Sequence, residues 1–245
     1  MEDKSSNKAA ESGQEQLETV VVSDADALRR LEVKNGELER LLAEKDERRQ
    51  QEYHRIKNNL QMVSSLLRMQ AELLKGRDER VFIEDGYYRV LAIAMIHERL
   101  YMTEEADRVD FEEYTHALVA ELFNPYEDYV SNVSKRIRTS PVYLATDQAI
   151  PCSIILNELV SNALRHAYPN GQTGEITIAL AESLDGRVTL TVSDKGVGLP
   201  VGWDLSELQT MGVPIVDLLA KQLGGSLRWR SERGTEFTVE FPKVR

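Results

Sequence analysis

The chain has 245 residues, 41 acidic against 30 basic side chains and a formal charge of −11 at pH 7, the size of one or two domains. An acidic surface repels phosphodiester backbones and no stretch concentrates Lys and Arg, so general nucleic-acid binding is excluded. The longest apolar runs, Val90–Ile96 and Cys152–Ile155, fall far short of the roughly 20 residues that cross a bilayer. The polar start Met1–Gly13 has no secretory character. The one cysteine, Cys152, permits no internal disulfide or cysteine-based metal cluster, which suits a cytoplasmic location. Cys152 lies in an apolar run and is expected in the core.

The first 16 or so residues, MEDKSSNKAAESGQEQ, are polar enough to predict a disordered tail. From Val21 the apolar positions take a seven-residue rhythm: Val21, Leu28, Asn35 and Leu42 at one seam position, Leu31 and Leu38 at the other. That pattern predicts a short coiled coil in which Asn35 fixes register and favours two strands; a lone amphipathic helix is the alternative. The helical pattern runs on without Pro or Gly from Arg48 to Leu74. Ile56, Leu60, Val63, Leu67 and Leu74 form one apolar stripe, and Met62, Leu66, Met69 and Leu73 a neighbouring one. His54, Asn58, Gln61, Ser65 and Arg68 share the polar face. After Gly76 a second helix is expected over Glu79–Tyr101, burying Phe82, Val90, Ile93, Ile96 and Leu100. Such a hairpin needs a partner, and two copies make a four-helix bundle, so a homodimer is expected.

Beyond Asp110 the texture changes. A helix is expected at Phe111–Phe123, a strand at Ser140–Leu144 within the Pro-marked stretch Asn124–Thr146, and a helix over Pro151–Ala167 with Pro151 in its first turn. Glu175–Leu180, Arg187–Ser193, Ser226–Ser231 and Thr235–Phe241 alternate as strands do. A last helix, Val213–Leu223, ends at Gly224–Gly225. Strands joined by Asp185-Gly186 and Arg233-Gly234 turns predict a mixed sheet with helices on one face, an α/β sandwich.

NELVSNALRHA, Asn157–Ala167, puts Glu158, Asn162 and Arg165 on one helical face. A carboxylate, a carboxamide and a guanidinium there can hold hydrated Mg²⁺ and a polyphosphate, although an ordinary surface helix carries the same trio. Further on, DKGVGLP contributes Asp194, Gly196 and Gly198 at a strand end. The carboxylate can accept from an exocyclic amine while the missing side chains admit a flat ring; a plain turn has the same composition. Met211-Gly212 opens a helix whose amides can receive phosphate, and Gly234-Thr235-x-Phe237 begins the final strand.

In that order, NELVSNALRHA, DKGVGLP, the Gly212 turn and GTEF resemble the N, G1, G2 and terminal Gly boxes of Bergerat-fold ATPases. Upstream, HRIKNNLQ (His54–Gln61) and IHERLY (Ile96–Tyr101) narrow the resemblance to sensor histidine kinases, in the subfamily whose phosphoacceptor box reads H-R-x-K-N-N-L-Q. It covers about Glu52 to Pro242. Together with the upstream patterns, which predict a disordered tail (1–20) and a coiled-coil signalling helix (21–50), it implies an α+β chain whose remaining parts are a dimerisation and phosphotransfer helical hairpin (51–108) and an ATP-binding sandwich (109–245). The implied activity is ATP-dependent phosphorylation of His54, followed by transfer to an aspartate on a response-regulator receiver domain. ATP and Mg²⁺ are the implied cofactors, with Asn162 as metal ligand and Asp194 recognising adenine. Gly196, Gly198 and Gly212 would line the nucleotide, with Arg165 and Thr235 near the phosphates or the adenine edge. Glu158 stands where the ATP-hydrolysing relatives keep a water-activating carboxylate; in a kinase it either helps order Mg²⁺ or takes the proton from His54. Trp203–Thr210 would be a short ATP lid.

An exposed imidazole is largely neutral at pH 7, so one ring nitrogen has a lone pair for a γ-phosphoryl group. The residue after His54 is Arg55, which cannot take a proton, so the general base is open. Asn58, one turn on, can position a water or the phosphoryl group, and Lys57 can screen charge. His97 is expected in helix packing, His116 on the surface and His166 beside the nucleotide. Two other readings use the same sequence: an ATPase of this fold with Glu158 as base, and a phosphotransfer scaffold whose nucleotide site is degenerate, against which the intact DKGVGLP and GTEF stand.

Overall fold

The computed structural model describes residues 3–73, 77–102, 108–124, 132–200, 202 and 212–244. The expected lid Trp203–Thr210, Met211, Leu74 and Gly76 lie outside the described residues, as do the side chains of Val21 and Leu28. Helix α1 runs from Asp3 to Leu73, so the segment expected to be a disordered tail is helical from Asp3 onward. Ala9, Ala10, Glu11, Gln14, Glu15 and Gln16 are strong helix formers, Gly13 is the weak residue among them, and extending a helix costs far less than nucleating one.

The chain divides into two units, residues 1–54 and 55–245. In the first, Leu31, Leu38 and Leu42 stand 63, 57 and 59% exposed along α1, with Asn35 exposed among them. One helix cannot bury such a stripe by itself.

In the second unit the rest of α1 pairs with helix α2 (Arg77–Met102) as an antiparallel hairpin. Lys57 Nζ donates to Glu98 Oε1 at 2.7 Å, and a Cβ on Gly86 would touch Leu67. Met62, Val63, Leu66 and Met69 stay exposed. Strand β1 (Arg108–Asp110) leads into helix α3 (Phe111–Phe123). Asp110 caps α3 by accepting from the amides of Glu112 and Glu113 at 3.0 and 3.1 Å, satisfying two of its unpaired donors. Then follow β2 (Val133–Thr139), β3 (Tyr143–Ala145), helix α4 (Thr146–His166), β4 (Gly174–Glu182), β5 (Arg187–Asp194), helix α5 (Gly212–Gln222), β6 (Ser226–Arg230) and β7 (Glu236–Pro242).

The main sheet has the order β2-β4-β5-β7-β6. Strand β2 is parallel to β4 and the other pairings are antiparallel. The parallel pair needs a crossover, and that crossover contains α4. Ile176, Ile178, Leu180, Val188, Leu190, Val192, Phe237, Val239 and Phe241 are buried at alternate positions, facing helices α3, α4 and α5. The opposite face carries Thr177, Thr191 and Thr238, the last two joined through their hydroxyls at 3.2 Å. This is the mixed sheet with helices on one face that the strand pattern predicts.

Three expectations are corrected. Of the strand placed at Ser140–Leu144 only the end is extended in a ladder, as β3 (Tyr143–Ala145) paired with β1 in a separate sheet, while the main-sheet strand β2 lies upstream and stops at Thr139, because Pro141 cannot continue a ladder. Pro151 lies inside α4, which starts at Thr146; its missing amide leaves only the Asp147 carbonyl without its helical donor. Phe82, expected in the core, is 54% exposed. Helix α2 runs antiparallel to α4, with Asp85 opposite Arg165, so Phe82 projects beyond the end of α4 at His166.

The core also crosses the boundary expected at residue 108. Ala92 and Ile96 of α2 are fully buried in one cluster with Phe111, Tyr114, Ile155 and Leu159, and the Tyr114 hydroxyl donates to the Ala92 carbonyl at 3.0 Å. Cys152 is buried in that cluster, and burial pushes its thiol well above the usual range.

Candidate nucleotide-binding site

Strand β5 ends on Asp194, which the backbone holds from two directions. Its Oδ1 accepts from the amide of Gly196 at 2.8 Å and from the amide of Thr235 at 3.2 Å, and its own amide donates to the Thr235 carbonyl at 2.9 Å. Oδ2 accepts no hydrogen bond among the described residues. Burial raises the carboxyl from its ordinary value, opposed by the two amide donors. The result is a fixed, half-buried carboxylate with one oxygen committed to the fold and the other available to a ligand donor.

The glycines around it make room for the chain's own close approaches. A Cβ on Gly196 would overlap the carbonyl of Ala167, whose oxygen accepts from the Val197 amide at 3.0 Å, so this glycine lets the loop close on the end of α4. Gly198 has φ +76°, and a Cβ there would sit 2.8 Å from Ser231 Oγ. At both positions the missing side chain serves the chain's own packing. Gly212 is the one that borders the polar face of α4: a Cβ would sit 3.0 Å from Glu158 Oε2 and 3.4 Å from Asn162 Nδ2. The start of α5 is therefore brought against the Glu158–Asn162 face, with Pro214 in its first turn giving up an amide that has no helical acceptor there.

Glu158 and Arg165 are not open to solvent on that face. Glu158, 5% exposed in its side chain, accepts from Arg89 Nε at Oε1 (2.7 Å), from Arg89 Nη2 at Oε2 (3.1 Å), and from Asn157 Nδ2 at Oε1 (3.3 Å). Arg165 Nη2 is ion-paired with Asp85. Both partners come from α2. Between the two pairs, the Asn162 side chain makes no hydrogen bond to a described residue, leaving its amide oxygen as a ligand of the hard kind Mg²⁺ prefers. The donor set thus fits a Mg²⁺ held mainly by phosphate and water with one protein amide oxygen; Glu158 fits only after Arg89 leaves it. No group of three or more His, Cys, Asp or Glu side chains able to hold a metal is found among the described residues.

Two functional positions escaped the sequence reading. The buried Tyr168 hydroxyl accepts from the amides of Lys195 (2.9 Å) and Glu175 (3.1 Å) and donates to the Glu175 carbonyl (2.8 Å). It thereby ties the start of β4 to the residue after Asp194, and Gly174 is a glycine because a Cβ would overlap the tyrosine ring. Ser231 Oγ accepts from the Leu199 amide at 2.8 Å and donates to the Gly234 carbonyl at 3.1 Å, joining the DKGVGLP loop to the GTEF turn. The Tyr-Pro after NELVSNALRHA was the only local signal for Tyr168, and nothing local marked Ser231.

Asp194, Gly196, Gly198 and Thr235 are brought together at one end of the sheet; Glu158, Asn162, Arg165 and Gly212 are brought together along α4. His54 is exposed at the end of the first unit, its ring 5.4 Å edge-on from that of Tyr53, and Asn58 is exposed on the same helix in the second unit. His97 is half-buried and burial lowers its pKa. Burial also lowers that of His166, helped by Arg165 and opposed by Asp85.

Residues 53–126 match the family described as histidine kinase, and residues 147–245 match the histidine kinase-, DNA gyrase B- and HSP90-like ATPase family. The first stretch is therefore a histidine kinase domain and the second an ATPase domain of that wider family. Over 212 residues the chain is 34% identical to the sensor histidine kinase PdtaS of Mycobacterium tuberculosis, an alignment covering 83% of this chain and 41% of that protein. It is 31% identical over 109 residues to the anti-sigma F factor of Lysinibacillus sphaericus, covering 40% of this chain and 74% of the relative. Its fold is like that of the histidine kinase domain of an Erythrobacter litoralis blue-light activated histidine kinase, with a TM-score of 0.62 at 18% identity over 78% of this chain and 94% of that one. The chain spans about two-fifths of the length of the mycobacterial relative. No helix among the described residues is long and apolar enough to cross a membrane.

Proposed function

We propose that this chain is the kinase core of a cytoplasmic two-component sensor, binding ATP with Mg²⁺ in its second unit, phosphorylating His54 and passing the phosphoryl group to an aspartate on a response-regulator receiver domain. The observation that carries the reading is Asp194: one carboxylate oxygen fixed by two backbone amides and the other left to accept from an amine at the edge of a flat base. Asn162 and the Gly212 amide at the start of α5 then receive the metal and the phosphates. Mg²⁺ bound at Asn162 would neutralise charge on the phosphate oxygens. In the transfer, the lone pair of a His54 ring nitrogen forms a bond to the γ-phosphorus, the bond from that phosphorus to the bridging oxygen breaks, and ADP leaves. Such a step needs positioning and charge compensation more than covalent help from the protein.

The HRIKNNLQ box is the phosphoacceptor segment in this reading, and Asn58 orients the phosphoryl group or a water beside it. The exposed stripe of Leu31, Leu38 and Leu42 with Asn35, and the apolar face of Met62, Val63, Leu66 and Met69, are where two copies would pair. The rival ATPase reading needs Glu158 as a free base, and both of its oxygens are held by Arg89.

The test is autophosphorylation with γ-labelled ATP, followed by acid and base treatment. Wild type is expected to carry acid-labile, base-stable label that His54→Gln loses while still binding nucleotide. Label retained by His54→Gln at the wild-type level overturns the assignment, and rapid ATP turnover without phosphoprotein favours the ATPase.

A further inference from the structure

Two ion pairs join α2 to the very residues of α4 that the nucleotide reading assigns to the phosphate end of the site. Asp85 and Arg89 are four apart and lie on one face of α2. Glu158 and Arg165 are seven apart, on one face of α4. The helices run antiparallel, so the acid of α2 meets the base of α4 and the base of α2 meets the acid of α4. All four side chains are at most 20% exposed. Asn162 lies between the two pairs, and Gly212 packs on Glu158 and Asn162.

We propose that Asp85 and Arg89 form a charge latch that competes with Mg²⁺-nucleotide for Arg165 and Glu158. This rests on the nucleotide reading of the Asp194–Asn162 site. A carboxylate saturated by a bidentate guanidinium cannot also order metal-bound water, and a guanidinium neutralised by Asp85 cannot compensate a phosphate. Emptying either residue would strand a buried charge, which is costly. Opening is therefore an exchange: a metal cation takes the place of Arg89 at Glu158, and phosphate takes the place of Asp85 at Arg165. Gly86 sits between the latch residues, the weakest helix former available at that point short of proline. Downstream, Ala92 and Ile96 anchor α2 in the core. Movement is thus confined to the half of α2 that bears the latch.

The test is calorimetric titration of the full chain with adenosine and with a non-hydrolysable Mg²⁺-ATP analogue. Adenosine reads the Asp194 site without phosphate: failure of wild type to bind it, or equal binding by Asp194→Asn, sinks the nucleotide reading. The latch is read separately in Asp85→Asn, a near-isosteric change. It is expected to leave adenosine affinity unchanged and to tighten the triphosphate analogue about tenfold, within the usual range of coupling between sites. Unchanged or weaker binding of the triphosphate overturns the latch. A second variant, Arg89→Gln, reads it without nucleotide. With Glu158 released, Mg²⁺ alone should raise the melting temperature of the variant and not that of wild type; an equal response in both overturns the exchange.

Discussion

Replacing Tyr168 by Phe removes one oxygen atom and leaves the ring where it is, against Gly174. Three hydrogen bonds end at that oxygen. Two of them satisfy the amides of Glu175 and Lys195, and an amide left without an acceptor in a partly buried place costs about 1 kcal/mol, rising to about 3 where no water enters. The hydroxyl's donation to the Glu175 carbonyl is the least costly loss, since a carbonyl with a second lone pair is more often left under-satisfied. The expected destabilisation is about 2–3 kcal/mol. For a unit of this size each kcal/mol lowers the melting temperature by about 2–4 °C, so a fall of about 4–12 °C is expected. Urea unfolding should show a lower midpoint with an unchanged slope. Because Lys195 follows Asp194 directly, nucleotide affinity should fall together with stability. A destabilisation below about 0.5 kcal/mol with unchanged nucleotide affinity would refute the reasoning, since water would then be standing in for the hydroxyl.

Gly196→Ala places a methyl into the Ala167 carbonyl, a backbone atom that cannot rotate away; a loss above about 3 kcal/mol in thermal or urea unfolding is expected, at or beyond the upper end for overpacking, together with loss of nucleotide binding. Asp194→Asn keeps an acceptor for the Gly196 and Thr235 amides, so it should fold as wild type does while losing adenine recognition by calorimetry. Its pH dependence has a definite sign. A carboxyl whose pKa is raised on folding lends stability that is present at low pH and is lost as pH rises through the folded value. The asparagine side chain does not titrate, so the stability of the variant relative to wild type should increase between about pH 4 and pH 7, measured by urea unfolding at the two pH values; a decrease would contradict the assignment of burial as the dominant cause.

The elements most legible in the sequence were those whose pattern is set by one buried face. Strands β4, β5 and β7 alternate cleanly because one side packs on helices, and α3 was expected within a residue of where it lies. Strand β2 was missed because Ser134, Lys135 and Arg136 are exposed at the sheet edge, where charge protects an unpaired rim and erases the alternation. Of the site, the motifs showed Asp194, Asn162 and Gly212 by their order along the chain. They could not show that Arg89 and Asp85 occupy Glu158 and Arg165, because pairs separated by 69 and 80 positions leave no local trace. They also could not show that Gly196 and Gly198 make room for the chain's own packing, since a glycine that admits a ligand and one that admits its own backbone look alike in sequence.

The burial of Ala92 and Ile96 beneath Phe111 and Tyr114 also bears on how such a protein can be dissected. The two family matches suggest a cut in the stretch between them, and strand β1 suggests another just before residue 108. A fragment starting at either place would lack the α2 side chains that close the core and would expose apolar surface worth about 1.5–3 kcal/mol for the isoleucine alone; a start at β1 would, in addition, keep Tyr114 without its hydroxyl acceptor. The smallest piece that keeps this core whole begins upstream of Ala92, so recombination between relatives that exchanged only the ATPase module would carry a stability penalty unless α2 travelled with it.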